Sequence, residues 1–191
     1  MRVLMIGAPG AGKGTQGVRV AEHYGIAHIA SGDLLRQHIR DETTIGRVAK
    51  SYVSTGDLVP DAVVLDMLYK PVSAAAAAGG YVLDGFPRTV EQAENAYRVA
   101  SQQGAHVRAA VYLDVEREEL VRRLLSRGRG ADDTPEVVEH RLAVYEAKTK
   151  PMLDYYSRRE SVITIDGNQP PDAVTVALLK ELERFRRDGS E

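Results

Sequence analysis

The sequence predicts an α/β protein built on a five-stranded parallel sheet flanked by helices. Three observations predict it. Five short apolar segments are separated by longer helix-patterned stretches, the βαβα order that builds a parallel sheet. The strand candidates are mostly apolar rather than alternating, as expected of strands covered on both faces. A glycine-rich string also stands between the first strand and the first helix, where the helix N-terminus offers an anion site.

Taken in order, the strand candidates are Arg2–Ile6, Ala27–Ile29, Tyr81–Leu83, Ala109–Leu113 and Val162–Ile165. Gly14–Tyr24 reads as a helix closed by Gly25, and Thr89–Gln103 as one closed by Gly104. Glu116–Ser126 begins acidic and is followed by Arg127, which suits the helix dipole. Thr134 and Pro135 are suited to the N-cap and first turn of a helix running over Pro135–Tyr156. Pro171–Arg187 is the last helix. Another starts near Asp61, and Pro71 should break or kink it. Two segments interrupt the rhythm. Ser31 to Pro60 holds two helical patterns and no strand, hence an all-helical insertion. Gly128 to Thr134 is a polar loop rich in Gly, Arg and Asp. Insertions at the C-terminal ends of parallel strands lie where ligands bind.

Composition bounds the function. A chain of 191 residues can bury a core as one main domain. Its 43% hydrophobic and 27% charged residues are those of an ordinary globular protein. A net charge of −2 gives no general affinity for nucleic acid or anionic membrane, so any anion site must come from local clustering of cations. The absence of cysteine excludes disulfides, thiol catalysis and cysteine-bound zinc. No apolar segment is long enough to span a bilayer, and the chain enters a strand with no charged leader, so a cytoplasmic location is expected.

Gly7-Ala8-Pro9-Gly10-Ala11-Gly12-Lys13-Gly14-Thr15-Gln16 reads as a cradle for polyphosphate. Its glycines let backbone N–H groups turn toward phosphate oxygens, and Lys13 reaches the phosphates nearest the reacting end. A flexible turn is the plainer alternative, but the strand, Gly-x4-Gly-Lys, helix context favours the cradle. The hydroxyl usual directly after the lysine comes one place later, at Thr15. In Tyr81-Val82-Leu83-Asp84-Gly85-Phe86-Pro87-Arg88, Asp84 ends a buried strand and is placed to hold magnesium directly or through its water shell. Arg88, its path restricted by Pro87, can grip a phosphate in bidentate fashion. The five histidines show no metal-ligand spacing and read as structural or surface residues.

These motifs resemble the adenylate kinase family, a branch of the nucleoside monophosphate kinases, essentially from end to end. The resemblance rests on GAPGAGKGTQ at 7–16, SGDLLR at 31–36, GDLVPD at 56–61, LDGFPRTVEQ at 83–92, SRGRGADDTPE at 126–136 and HRLAVY at 140–145. It implies a single P-loop kinase domain over 1–191, with a helical NMP-binding insertion at 30–59 and a short lid at 126–136. It also implies reversible phosphoryl transfer from Mg-ATP to AMP, giving two ADP. By resemblance, Gly10, Ala11, Gly12, Lys13, Gly14 and Thr15 cradle the ATP phosphates. Arg123 packs on the ATP adenine, where a solvated surface charge is the alternative, and Gly167 contacts that adenine through its backbone.

The acceptor side follows in the same way. Ser31 and Arg36 hold AMP, the backbone of Asp57, Leu58 and Val59 approaches its adenine, Gly85 and Arg88 line its site, and Gln92 reads the adenine edge. Lys13, Arg88, Arg127, Arg129 and Arg141 surround the phosphoryl groups, with Arg127 toward ATP and Arg129 and Arg141 toward AMP. Asp84 and Asp33 order the waters of Mg2+. Nucleotides are the expected partners and a monomer the expected state. A UMP/CMP kinase is the nearest alternative, with a non-catalytic nucleotide sensor behind it. No Asn-Lys-x-Asp string supports a GTPase.

Overall fold

A computed structural model of the chain describes residues 1–102, 106–128, 133–159 and 161–188. Five strands form one sheet in the order β2-β3-β1-β4-β5. They are β1 (Arg2–Gly7), β2 (Ala27–Ala30), β3 (Tyr81–Asp84), β4 (Ala109–Asp114) and β5 (Ser161–Asp166). Every pairing is parallel. Each strand falls on its expected apolar run, extended by one or two residues.

The strands are apolar throughout because both faces are covered. In β1, Val3 and Met5 point into one core and Leu4 and Ile6 into the other, all at most 2% exposed. The first core is closed by α1 (Lys13–Tyr24), α6 (Arg117–Arg127), α7 (Pro135–Val144) and α9 (Pro171–Asp188) through residues such as Val20, Leu124, Leu142 and Leu178. The second is closed by α2 (Ser31–Arg40), α3 (Thr44–Thr55), α4 (Asp61–Ala77), α5 (Val90–Gln102) and α8 (Met152–Ser157). Burying a side chain such as Leu124 contributes about 1.5–3 kcal/mol. No helix among the described residues is long and apolar enough to cross a membrane.

Strand register aligns the functional loops. Met5 pairs with Asp84 and Gly7 with Leu113, so the segments leaving β1, β3 and β4 emerge at one edge of the sheet. The chain builds β2 and β3 on one side of β1 and then β4 and β5 on the other, which opens a crevice at that edge. The all-helical insertion is α2 and α3. Helix α3 is capped at its start by Thr43, whose hydroxyl accepts from Gly46 N–H at 3.1 Å, and at its end by Gly56 in the left-handed conformation.

Of the two outcomes expected at Pro71, a break is corrected: α4 runs from Asp61 to Ala77 with the proline inside. Met67, Leu68 and Ala75, all buried on either side of it, hold the helix together, and this packing offsets the local cost of about 3 kcal/mol. The helix expected over Pro135–Tyr156 is three pieces: α7, a π-helical turn over Tyr145–Thr149, and α8. Pro151 is the cause, since it has no N–H and its ring crowds the carbonyl of Ala147. The chain widens instead, and Lys150 N–H donates to the Tyr145 carbonyl at 2.9 Å. Gly104, expected to close α5, lies outside the described residues.

Candidate functional site

At the end of β1 the chain turns through residues 8–12 and enters α1 at Lys13. Gly12 caps α1 with φ 93°, a left-handed conformation that suits glycine, and no side chain caps the helix. The first N–H groups of α1 thus present a positive end to the crevice. Lys13 folds back over the loop, its Nζ donating to the carbonyls of Gly7 at 2.8 Å and Ala8 at 2.9 Å. Burial pulls the Lys13 pKa down to about 8; Asp84 opposes the shift, and Arg88, Arg141 and Arg127 add to it.

Facing Lys13 are the cations of the other loops. Arg88 donates from Nε to the Gly85 carbonyl at 2.7 Å, and burial lowers its pKa against the pull of Asp84, with Arg36 adding to the fall. Arg36 is ion-paired with Asp33. Arg127 holds Asp133 with two hydrogen bonds, and Arg141 Nη1 stands 3.8 Å from the same carboxylate. Asp133 has a side chain only 3% exposed, so it is a buried anion among lid-side arginines. Arg129 lies outside the described residues.

These groups line two connected spaces. The larger, about 970 Å³, is bordered by Gly10 to Thr15, Asp84, Arg123, Arg127 and Gly167. The smaller is bordered by Ser31, Asp57, Leu58, Val59 and Gln92. Arg36, Gly85, Arg88 and Arg141 border both. The cations therefore stand at the junction, where a group passing from one space to the other would be surrounded by positive charge.

The smaller space is built for a polar ligand. Ser31, the first residue of α2, is 1% exposed, and its buried Oγ has no hydrogen-bond partner, which a ligand would supply. Gly85 has φ 79°, and a Cβ there would lie 2.6 Å from Ser31 Oγ, so only glycine keeps this pocket open. Gln92 is 2% exposed on α5, although an exposed position is the commoner fate of a helical glutamine. Its Oε1 accepts from Arg88 N–H at 2.7 Å, and its Nε2 donates to Asp61 Oδ1. One lone pair and one N–H of this amide are left for a ligand.

Arg123, which borders the larger space, is held by two hydrogen bonds. Its Nη2 donates to the Gly167 carbonyl at 2.8 Å and its Nε to Glu119 at 2.6 Å. Hydrogen bonds from Arg122 and then Arg123 hold the Glu119 carboxyl at a pKa of about 2. The guanidinium thus braces the turn after β5 against α6.

As to a metal, no group of three or more His, Cys, Asp or Glu side chains among the described residues could hold an ion. Asp84 borders the larger space beside the start of α1: a Cβ on Gly14 would lie 3.6 Å from its Oδ2. Asp33, already paired with Arg36, is mostly exposed. This donor set suits a hard cation carried by phosphate and water with one carboxylate nearby, as Mg2+ is bound with nucleotides.

Four residues that border or brace these spaces escaped the sequence reading of the site. Asp61 and Thr149 grip Gln92 and the Arg88 carbonyl from 31 and 61 residues away. Asp133 had a visible signal, a carboxylate in a loop with two arginines. His140 Nε2 lies 2.7 Å from Asp57 Oδ1, joining α7 to the segment after α3; nothing in its spacing announced this.

Comparison with known proteins bears directly on this geometry. A family model described as "Adenylate kinase" matches residues 5–161. "Adenylate kinase 1" of Nostoc sp. is 45% identical over 174 residues, covering 91% of this chain and 94% of the relative. "Adenylate kinase" of Trichodesmium erythraeum is 40% identical over 190 residues, covering 97% and 99%. The "Adenylate kinase" of Nocardia farcinica is 42% identical over 184 residues, covering 96% and 100%.

Proposed function

The chain belongs to the adenylate kinase family and is a phosphotransferase between ATP and AMP that gives ADP, and we propose that it does this by direct transfer between two nucleotides bound side by side. ATP occupies the larger space and AMP the smaller. The observation that carries this reading is the placement of Arg36, Arg88 and Arg141 on the border of both spaces, with Lys13 and Arg127 beside them.

In this reading the loop and helix start from Gly10 to Thr15 hold the ATP phosphates, and Lys13 leaves the Gly7 and Ala8 carbonyls to meet them. Arg123 and Gly167 border the ATP base. Ser31 and the backbone of Asp57, Leu58 and Val59 enclose AMP, Gln92 reads its adenine edge, and Arg36 binds its phosphate. Arg129 joins Arg88, Arg127 and Arg141 around the transferred group. Asp84 would hold a water of the Mg2+ of Mg-ATP, with Asp33 a second such group. That ion supplies neutralisation of the donor phosphates.

AMP carries a phosphate whose second pKa is about 6, so near neutral pH its attacking oxygen is already ionised and the chain needs no general base. What the chain supplies is electrostatic. Its arginines and Lys13 hold two polyanions in line and neutralise charge spread over the transferring group. The α2–α3 insertion (30–59) and the short lid (126–136) close over the nucleotides, excluding the water that would otherwise hydrolyse ATP. The chain acts as a cytoplasmic monomer on small nucleotides, and its net charge of −2 supports the lack of a nucleic-acid or membrane partner.

Direct transfer is tested with ATP made stereogenic at the γ-phosphorus. A single inversion is expected in the ADP formed from AMP. Retention would require a phosphoenzyme and overturn the mechanism.

A further inference from the structure

Thr149 has no part in the mechanism above, yet its position is specific. It is 9% exposed and borders the larger space. A threonine hydroxyl in a helix ordinarily bonds back to the carbonyl one turn earlier. Here Oγ1 leaves its own helix and donates to the main-chain carbonyl of Arg88, 2.8 Å away. The π-helical turn is what delivers it. The Tyr145 carbonyl is taken by Lys150 N–H at 2.9 Å, so the turn carries one residue more than an α-turn and Thr149 is rotated accordingly.

Arg88 is therefore held at both of its peptide groups. Its N–H goes to Gln92 Oε1 at 2.7 Å, its C=O receives Thr149 Oγ1, and its side chain is bent back by the Gly85 carbonyl. Gln92 in turn is fixed by Asp61 at the start of α4. A hydrogen-bond chain thus runs from α4 through α5 to the segment beyond α7 and passes through the backbone of the arginine that borders both nucleotide spaces. A guanidinium gains from such anchoring because catalysis by position falls off with small displacements.

We infer that Thr149 is a positioning residue for phosphoryl transfer, setting the guanidinium of Arg88 through its main-chain carbonyl, with the π-helical turn as the device that places its hydroxyl. The inference rests on the reading of Arg88 as a group that touches the transferred phosphate.

The test is a double-mutant cycle of Thr149→Val and Arg88→Ala, with Thr149→Ser beside it, read as kcat and KM for AMP. Arg88→Ala alone should cost on the order of 10²- to 10³-fold in turnover. Thr149→Val should lower kcat/KM for AMP by about 3- to 10-fold, the worth of one hydrogen bond, and Thr149→Ser should restore most of it. In the Arg88→Ala background the valine should cost nothing further. Equal losses in both backgrounds, or wild-type kinetics for Thr149→Val, would overturn the inference while leaving the site reading intact. Wild-type turnover by Arg88→Ala would overturn the site reading and this inference with it. Thr149→Ala, run through the same cycle, decides the matter if the valine variant does not fold.

Discussion

Arg127 grips Asp133 through two hydrogen bonds, Nη2 to Oδ1 at 2.5 Å and Nε to Oδ2 at 3.1 Å. Arg141 shares the carboxylate at 3.8 Å. One nearly buried anion thus holds two arginines of α6 and α7 in place before any nucleotide arrives. Replacing it with Asn removes the charge and leaves both guanidiniums facing each other across a partly desolvated gap. Asp133→Asn should lower the unfolding free energy by about 1–3 kcal/mol, measured by denaturant titration. ATP should stabilise the variant more than the parent, because its phosphates then supply the missing negative charge. An unchanged midpoint would contradict the role given to Asp133.

Lys13 sets a pH limit. Its pKa of about 8 means that the ligand-free site loses its lysine charge as pH rises through 8. The value of kcat/KM for ATP should therefore fall above about pH 8, since that parameter reports the free enzyme. With ATP saturating, the polyphosphate beside Nζ favours the charged form, so kcat should hold to higher pH. The stability linkage has a definite sign. The ordinary value for lysine is 10.5, so between pH 8 and 10.5 the unfolded chain binds the proton that the folded chain has released. This group's destabilising contribution is thus full below pH 8 and fades as pH rises to 10.5. Initial rates measured on both sides of pH 8 check the kinetic half of the prediction.

Gly85 tests the acceptor pocket sterically. A methyl group there would meet Ser31 Oγ at 2.6 Å and Arg88 Nη2 at 3.1 Å, at a φ of 79°. Gly85→Ala should raise KM for AMP by about 10-fold or more, as expected of a forced shift of about 1–3 kcal/mol. Binding of ATP in the larger space should be unchanged by calorimetry. Equal loss at both sites would show a general folding defect instead.

Asp61 tests orientation rather than contact. Without its carboxylate the Gln92 amide loses the bond from Nε2, though Oε1 still receives the Arg88 N–H. Asp61→Ala should raise KM for AMP by about 3- to 10-fold through a less fixed amide, with kcat close to the parent's. Steady-state kinetics with AMP varied decide it.

The sheet could be read from the sequence because a parallel strand buried on both faces leaves a continuous apolar run. Val3 to Ile6 contributes in alternation to both cores. Local chemistry also announced Gly25, which caps α1 at φ 63°, and the helices of the insertion. Pro71 does not break α4, because its local penalty is set against packing that only the folded chain supplies. Pro151 was visible, but how the chain would accommodate it was not: a π-helical turn depends on what the displaced residues meet, here Arg88. The glycine string and the Asp84 to Arg88 stretch stood out as motifs for the same reason that they share one edge of the sheet, since each follows a parallel strand. Among their partners, Asp133 had a local signal beside two arginines, whereas Asp61 and Thr149 act through contacts that no periodicity or spacing encodes.

The most direct test of the central claim is acceptor specificity. The purified protein is given Mg-ATP with AMP, CMP, UMP, GMP or no acceptor, and nucleoside diphosphates are measured over time. Rapid formation of diphosphate is expected with AMP alone, two ADP appearing for each ATP consumed. Equal or faster turnover of CMP or UMP would contradict the adenine-reading role of Gln92, and nucleotide binding without turnover would contradict transfer itself.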